Sequence, residues 1–104
     1  MAAGPMKMRA TLVGGNTEVR VLMTHPMETG QRKDPTGKLV PMHFIQQVLV
    51  KVNGKVAIDS QVSQGVSRNP VFTFRLRGGA KGDRIEVSWV DNQGESNRTE
   101  AAIA

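Results

Sequence analysis

The residues whose types could do chemistry are concentrated between His25 and His43. Besides the two histidines, this segment holds Glu28 and Asp34, which are possible ligands of a transition metal. Such an ion needs three or four convergent donors, and no two of these residues have the close i,i+2 or i,i+4 spacing that brings ligands together. The pattern favours histidines that bond backbone groups at strand ends, and it predicts no metal or other cofactor.

Nucleophilic and acid–base catalysis also find little support in the sequence. Cysteine is absent, which removes a thiolate nucleophile. A serine triad would have to use His25 and Asp34, yet no serine lies in a nucleophile elbow. Glu28 and Asp34 stand beside Arg32 and Lys33 in a Gly/Pro-rich loop, where ion pairing or solvation is the expected role of a carboxylate. We therefore predict that the chain is not an enzyme.

The length and charge of the chain limit the number of domains and the classes of function that it can have. The chain has 104 residues with a net charge of +5, and we interpret residues 1–104 as a single domain. No apolar run is long enough to cross a bilayer. The N-terminal ten residues have no apolar core, so a signal peptide of its own is not expected.

The positive charge leaves open a small nucleic-acid-binding β-protein as the alternative function, although its few aromatic residues fall on inward-facing positions.

Apolar residues alternate with polar ones at period two almost throughout, which is typical of strands. Asn53-Gly54, between two such stretches, indicates a tight hairpin. About seven short strands separated by turn signals predict an all-β protein, an immunoglobulin-like antiparallel sandwich. The expected inward-facing residues are Val19, Val21, Met23, Val48, Val50, Val52, Val56, Ile58, Phe72, Phe74, Leu76, Ile85, Val87 and Trp89.

One predicted strand is apolar on both faces. Phe44, Val48 and Val50 share one face, and Ile45 and Leu49 occupy the other. The outer face of a two-layer sandwich is normally polar, so Ile45 and Leu49 indicate a contact surface for another protein.

Several segments resemble the SoxZ family of the thiosulfate-oxidising Sox system. The run Leu22-Met-Thr-His-Pro-Met-Glu-Thr-Gly-Gln-Arg-Lys-Asp34, followed by Gly37-Lys-Leu-Val-Pro41, is similar to the signature segment of that family. The similarity continues through Val52-Asn-Gly-Lys55, Asn69-Pro-Val-Phe-Thr-Phe74 and Val87-Ser-Trp-Val-Asp-Asn-Gln-Gly94.

The resemblance implies a role without chemistry of its own. Members of the family pair with SoxY, whose arm cysteine carries the sulfur intermediates, and the pair is visited in turn by the oxidising enzymes of the pathway. The resemblance also implies periplasmic localisation by export with SoxY. A face made for such a partner would permit a homodimer when the chain is isolated.

These considerations give a hypothesis for the partner-binding residues. Arg32 is the expected anion contact, because a guanidinium binds carboxylate or sulfonate with two hydrogen bonds. An ion pair between Glu28 and Arg32 that only shapes the loop is the alternative. The complete set is His25, Met27, Glu28, Arg32, Lys33, Ile45 and Leu49.

Overall fold

In the described part of the chain, seven strands in two antiparallel sheets form a sandwich, which confirms the predicted fold class. The structure is a computed structural model that describes residues 5–63 and 65–104. Residues 1–4, part of the segment in which no signal peptide is expected, lie outside this description. The strands are β1 (Met6–Val13), β2 (Asn16–Met23), β3 (Ile45–Val52), β4 (Lys55–Gln61), β5 (Val71–Leu76), β6 (Arg84–Asp91) and β7 (Ser96–Ala102).

The strand order divides the chain between two layers. One sheet has the order β1-β2-β5 and the other β4-β3-β6-β7, so the chain crosses between layers after β2, β4 and β5. The hairpin of β3 and β4 turns at Asn53 and Gly54, whose φ angles of 49° and 84° fit the two left-handed positions of a type I′ turn. In the part of the chain that is described, no helix has the length and apolar character needed to cross a membrane.

The core lies between the sheets and is built from the alternating residues. Trp89 is its largest fully buried side chain, and His25 packs edge-on against it with ring centroids 5.0 Å apart. Phe72 and Phe74 are half-buried and stack at 6.1 Å along the rim of the core. The other buried apolar residues are Ala10, Val19, Val21, Met23, Met27, Ile45, Val48, Val50, Ile85, Val87 and Ile103.

Two β-bulges overturn two predictions about facing. Between β3 and β6 the register shifts at Gln46, and the extra residue turns Ile45 into the core, where it is 0% exposed. The predicted outward position of Ile45 is therefore wrong. Between β3 and β4 the extra residue is Ala57, and Val56 then pairs with Lys51 and is 57% exposed. Strict alternation had placed Val56 inward.

Candidate functional site

The described residues bring one cluster of potentially reactive side chains together in the interior: His25, His43 and Asp91, all buried. The Nε2 atoms of His25 and His43 lie 2.9 and 2.6 Å from the same oxygen of Asp91, Oδ2. Glu95 approaches from the outer side, with Oε2 3.0 Å from His43 Nε2. We call these four residues the His–Asp network.

His25 is fixed by the connection that follows β2. Its backbone N–H donates to Asn69 Oδ1 at 3.0 Å, and its carbonyl accepts from the Asn69 N–H at 2.9 Å. The Met27 N–H donates to His25 Nδ1 at 3.1 Å, and Met27 itself has a positive φ of 48°. Backbone and ring of His25 are thus both held in one orientation.

His43 is held by the approach to β3. Its N–H donates to the Glu28 carbonyl and its own carbonyl accepts from the Glu28 N–H, forming an isolated bridge. The next residue, Phe44, exchanges backbone and side-chain hydrogen bonds with Asn92 at 2.8 and 3.0 Å. Since Asn92 directly follows Asp91, this pairing sets the distance between His43 and the carboxylate.

Asp91 uses both carboxylate oxygens. Oδ1 accepts the backbone N–H groups of Gln93 and Glu95, each at 2.9 Å, and Oδ2 faces the two histidines. Burial opposes ionisation, but the hydrogen bonds from His25, the Glu95 backbone, His43 and the Gln93 backbone together keep the pKa of Asp91 below its ordinary value. Asp91 is therefore a buried carboxylate stabilised by four donors.

The proton on His25 can be placed from its neighbours. A backbone N–H can only donate, so the contact from Met27 requires an unprotonated Nδ1. A neutral ring then carries its proton on Nε2 and donates it to Asp91. A histidine that bound a metal through Nε2 would need that atom free, and its Nδ1–H would point at the Met27 N–H. The three ligand atoms lie within 4.8 Å of one another, but the hydrogen-bond pattern fits an internal network better than a metal centre.

Residues 28–43 form an irregular hairpin on the surface, which we call the 28–43 hairpin. Lys33 and Leu39 make a bridge within it, and Asp34 closes its tip by accepting from the backbone of Thr36 and Lys38. A side-chain hydrogen bond from Thr36 outweighs desolvation and, with the backbone N–H groups of Lys38 and Thr36, lowers the pKa of Asp34.

The Glu28–Arg32 ion pair shapes the base of this hairpin. Arg32 Nε donates to both oxygens of Glu28, at 3.0 and 3.1 Å. The hydrogen bond from Arg32 lowers the pKa of Glu28, and the same hydrogen bond raises the pKa of Arg32. The alternative role considered for this pair, shaping the loop, is therefore present.

The seven predicted partner-binding residues separate by exposure. Arg32 and Lys33 are exposed and Leu49 is half-buried, whereas the side chains of the others are buried within this chain. The structure does not test partner binding, which stays a prediction for the exposed members. The buried ones, His25, Met27, Glu28 and Ile45, have roles in the network, the hairpin base or the core that do not depend on a partner.

Asp91 was not among the predicted site residues. The turn-type residues Asn92, Gln93 and Gly94 follow it directly in the sequence, and its contacts with His25 and His43 span 66 and 48 residues. One signal was available: Ile85, Val87, Trp89 and Asp91 continue a single period-two face, so Asp91 ends the inward row of β6. An acidic residue on an inward row needs buried donors.

Two variants of superoxide reductase (neelaredoxin) have similar structures. The one from Ignicoccus hospitalis is 16% identical with a TM-score of 0.60, and the match covers 99% of this chain and 82% of that one. The reduced-form one from Archaeoglobus fulgidus is 18% identical with a TM-score of 0.56, covering 99% and 88%. At these identities the likeness shows the fold alone.

Curated protein sequences give no significant match. The family model described as "Sulphur oxidation protein SoxZ" matches residues 6–102, which is nearly the whole chain. The chain therefore belongs to the SoxZ family and is a subunit of a sulfur-oxidising Sox system.

Proposed function

We propose that this chain is the non-catalytic subunit of a SoxYZ heterodimer in thiosulfate oxidation. In this proposal a SoxY-like partner carries the sulfur intermediates on its own cysteine, and this chain supports that partner while the oxidising enzymes visit. The match to the SoxZ family over residues 6–102 carries the proposal.

Two properties of the chain agree with a supporting role. It has no cysteine, so a sulfur atom could not be carried on one of its thiols. The His25, His43 and Asp91 side chains of its His–Asp network are buried, and both oxygens of Asp91 and both ring nitrogens of His25 are engaged in hydrogen bonds. A network with these internal partners is suited to holding loops in place.

The 28–43 hairpin is our candidate for the partner surface. Leu39 and Met42 are large apolar residues with 59% and 43% exposure, and Lys33 and Lys38 are exposed beside them. Apolar side chains rimmed by polar ones are typical of the centre of a protein interface. The hairpin is anchored at its base to the His–Asp network through the Glu28–His43 bridge, so it presents these residues from a fixed support.

Co-purification with the partner tests this assignment, using Leu39→Asp and the matched control Val56→Asp. Both residues are similarly exposed, but Val56 lies on β4, away from the hairpin. We expect a stoichiometric partner with a cysteine-bearing arm, an affinity at least tenfold weaker for Leu39→Asp, and no change for Val56→Asp, because an interface depends on a few apolar anchors. Absence of any partner would refute the function, and equal effects of the two variants would refute the surface.

Arg32→Ala and Leu49→Asp test two further members of the predicted partner-binding set, the exposed Arg32 and the half-buried Leu49. Since Arg32 also holds Glu28, its variant is compared with Lys33→Ala, which removes a neighbouring charge without breaking that ion pair. Unchanged heterodimer affinity and pathway turnover for Arg32→Ala and Leu49→Asp would remove both residues from the interface.

We also propose that the chain works in the periplasm and is exported with its partner. Fractionation of cells that express both chains, or this chain alone, tests this. We expect export only when the partner and its signal are present, and export of the chain alone would contradict the proposal.

A further inference from the structure

Arginine side chains face each other on the outer surface of the β1-β2-β5 sheet. Arg9 and Arg20 are direct cross-strand partners, and Lys7 is two residues along the same face of β1. All three are exposed. Side chains in this relation lie about 5 Å apart at Cβ, and like charges placed there repel.

No acidic side chain compensates these charges within residues 5–63 and 65–104. Glu18, the acidic residue on the same face of β2, pairs with Arg75 of β5, with 3.7 Å between its Oε2 and Arg75 Nε. None of the ion pairs in this part of the chain includes Lys7, Arg9 or Arg20. The face therefore keeps a cluster of three cations at one end and a neutralised pair at the other.

The cationic end is concave and partly apolar. A surface depression of about 380 Å³ is lined by Lys7, Met8, Arg9, Arg20, Leu22 and Val71. Leu22 pairs with Lys7 on one side and with Val71 on the other, so an apolar strip borders the cations. Leu22 and Val71 are 40% and 50% exposed.

We propose that this depression binds an oxidised-sulfur anion, of the sulfonate type, attached to a short apolar stem. The two guanidinium groups supply planar donor pairs that match an oxyanion, and the ammonium of Lys7 adds a third cation. Bound charge would relieve the repulsion between Arg9 and Arg20, and the stem would cover Leu22 and Val71. Only the choice of sulfur as the central atom rests on the proposed function, whereas the anion site follows from the charges and the shape.

The test titrates the full-length, isotope-labelled chain with N- and C-capped S-sulfocysteine and follows backbone amide signals by NMR. We expect saturable shifts confined to β1, β2 and β5, and about tenfold weaker binding for Arg9→Gln and Arg20→Gln, as loss of one charge-assisted hydrogen bond implies. Arg75→Gln is the matched control, because it removes the same charge from the same face outside the depression, and it should change the affinity less than twofold. The absence of saturable binding, or equal losses in all three variants, would overturn the site.

Three further ligands test the chemistry of the bound group. Inorganic sulfate lacks the stem, capped glutamate replaces the sulfonate with a carboxylate, and capped S-methylcysteine lacks the charge. Each should bind more weakly than S-sulfocysteine. Equal affinity for sulfate would overturn the role of the apolar strip, and equal affinity for glutamate or S-methylcysteine would overturn the sulfonate assignment. Tighter binding of a single-stranded oligonucleotide would reassign the face to nucleic acid.

Thermal unfolding separates a binding defect from a folding defect. Without ligand, Arg9→Gln and Arg20→Gln should melt at or above the temperature of the native chain, because each removes the like-charge contact. If a partner co-purifies and no anion binds, only this inference fails; if the anion binds and no partner is found, only the proposed function fails.

Discussion

Asp91 links segments that are far apart in the sequence. Its carboxylate receives hydrogen bonds from His25 after β2, from His43 before β3, and from the backbone of the turn that leads into β7. A buried carboxylate with four donors is stabilised only as long as it stays ionised. One side chain therefore holds three segments in place: the one after β2, the one before β3 and the turn that leads into β7.

Asp91→Asn should lower the free energy of unfolding by roughly 3 kcal/mol, because an amide cannot accept from all four donors and leaves buried groups unpaired. Urea denaturation followed by Trp89 fluorescence measures the loss. Asp59→Asn, at an exposed residue of β4, is the control and should change the stability little. Similar effects of the two substitutions would contradict the role assigned to the network.

The acid stability of the protein should depend on Asp91. Its folded-state pKa is lowered, so its stabilising contribution is complete above the unfolded pKa of about 4 and is lost as the pH falls through the folded value. We expect the free energy of unfolding to fall from pH 5 to pH 2 more steeply in the native chain than in Asp91→Asn. Parallel plots of the free energy of unfolding against pH for the two proteins would show that ionisation of Asp91 does not contribute to acid stability.

At the scale of the elements, the sequence predicts the seven strands and their turns because period-two alternation and turn residues are local signals. The bulges at Gln46 and Ala57 leave no comparable local mark, so the facing of Ile45 and Val56 was predicted wrongly. The His–Asp network was missed for a different reason: its contacts arise only when the connections after β2 and before β3 meet the end of β6. Local sequence patterns therefore predict the strands and turns, but they do not predict contacts between loops that are distant in the sequence.

Gly79→Ala should destabilise the connection between β5 and β6 by about 3 kcal/mol, since strain and overpacking add there. Gly79 has a φ of 108°, and an added Cβ would lie 2.1 Å from the Oγ1 of Thr17, which donates to the Gly78 carbonyl. Gly82→Ala in the same connection shares the positive φ but meets no atom within 4 Å. Chemical denaturation should give a clearly smaller loss for Gly82→Ala, and equal losses would exclude the Thr17 contact as the cause.

At the scale of the whole molecule, the described residues form one core shared by two sheets, and the sequence has no cysteine that could join the sheets by a disulfide. Val19 and Val21 of the smaller sheet belong to the same buried cluster as Val48 and Val87 of the larger one. Neither sheet can therefore keep its inner face dry without the other, and stability should be a property of the complete sandwich.

Unfolding should accordingly be a single cooperative transition. Trp89 fluorescence reports the core, where this side chain is 1% exposed, and far-ultraviolet circular dichroism reports all seven strands. The two midpoints in urea should coincide, both in the native chain and in Val87→Ala. A separate early transition in either signal would show that the sheets unfold independently.

Because of the bulge at Gln46, the fold depends on whether a change in chain length there involves an odd or an even number of residues. Side chains alternate sides along an extended backbone, so the one surplus residue in β3 decides on which side the preceding residues emerge. Deleting a single residue there would invert the segment that contains His43 and Ile45, sending the imidazole away from Asp91. Changes in length at this point are therefore compatible with the fold only in steps of two.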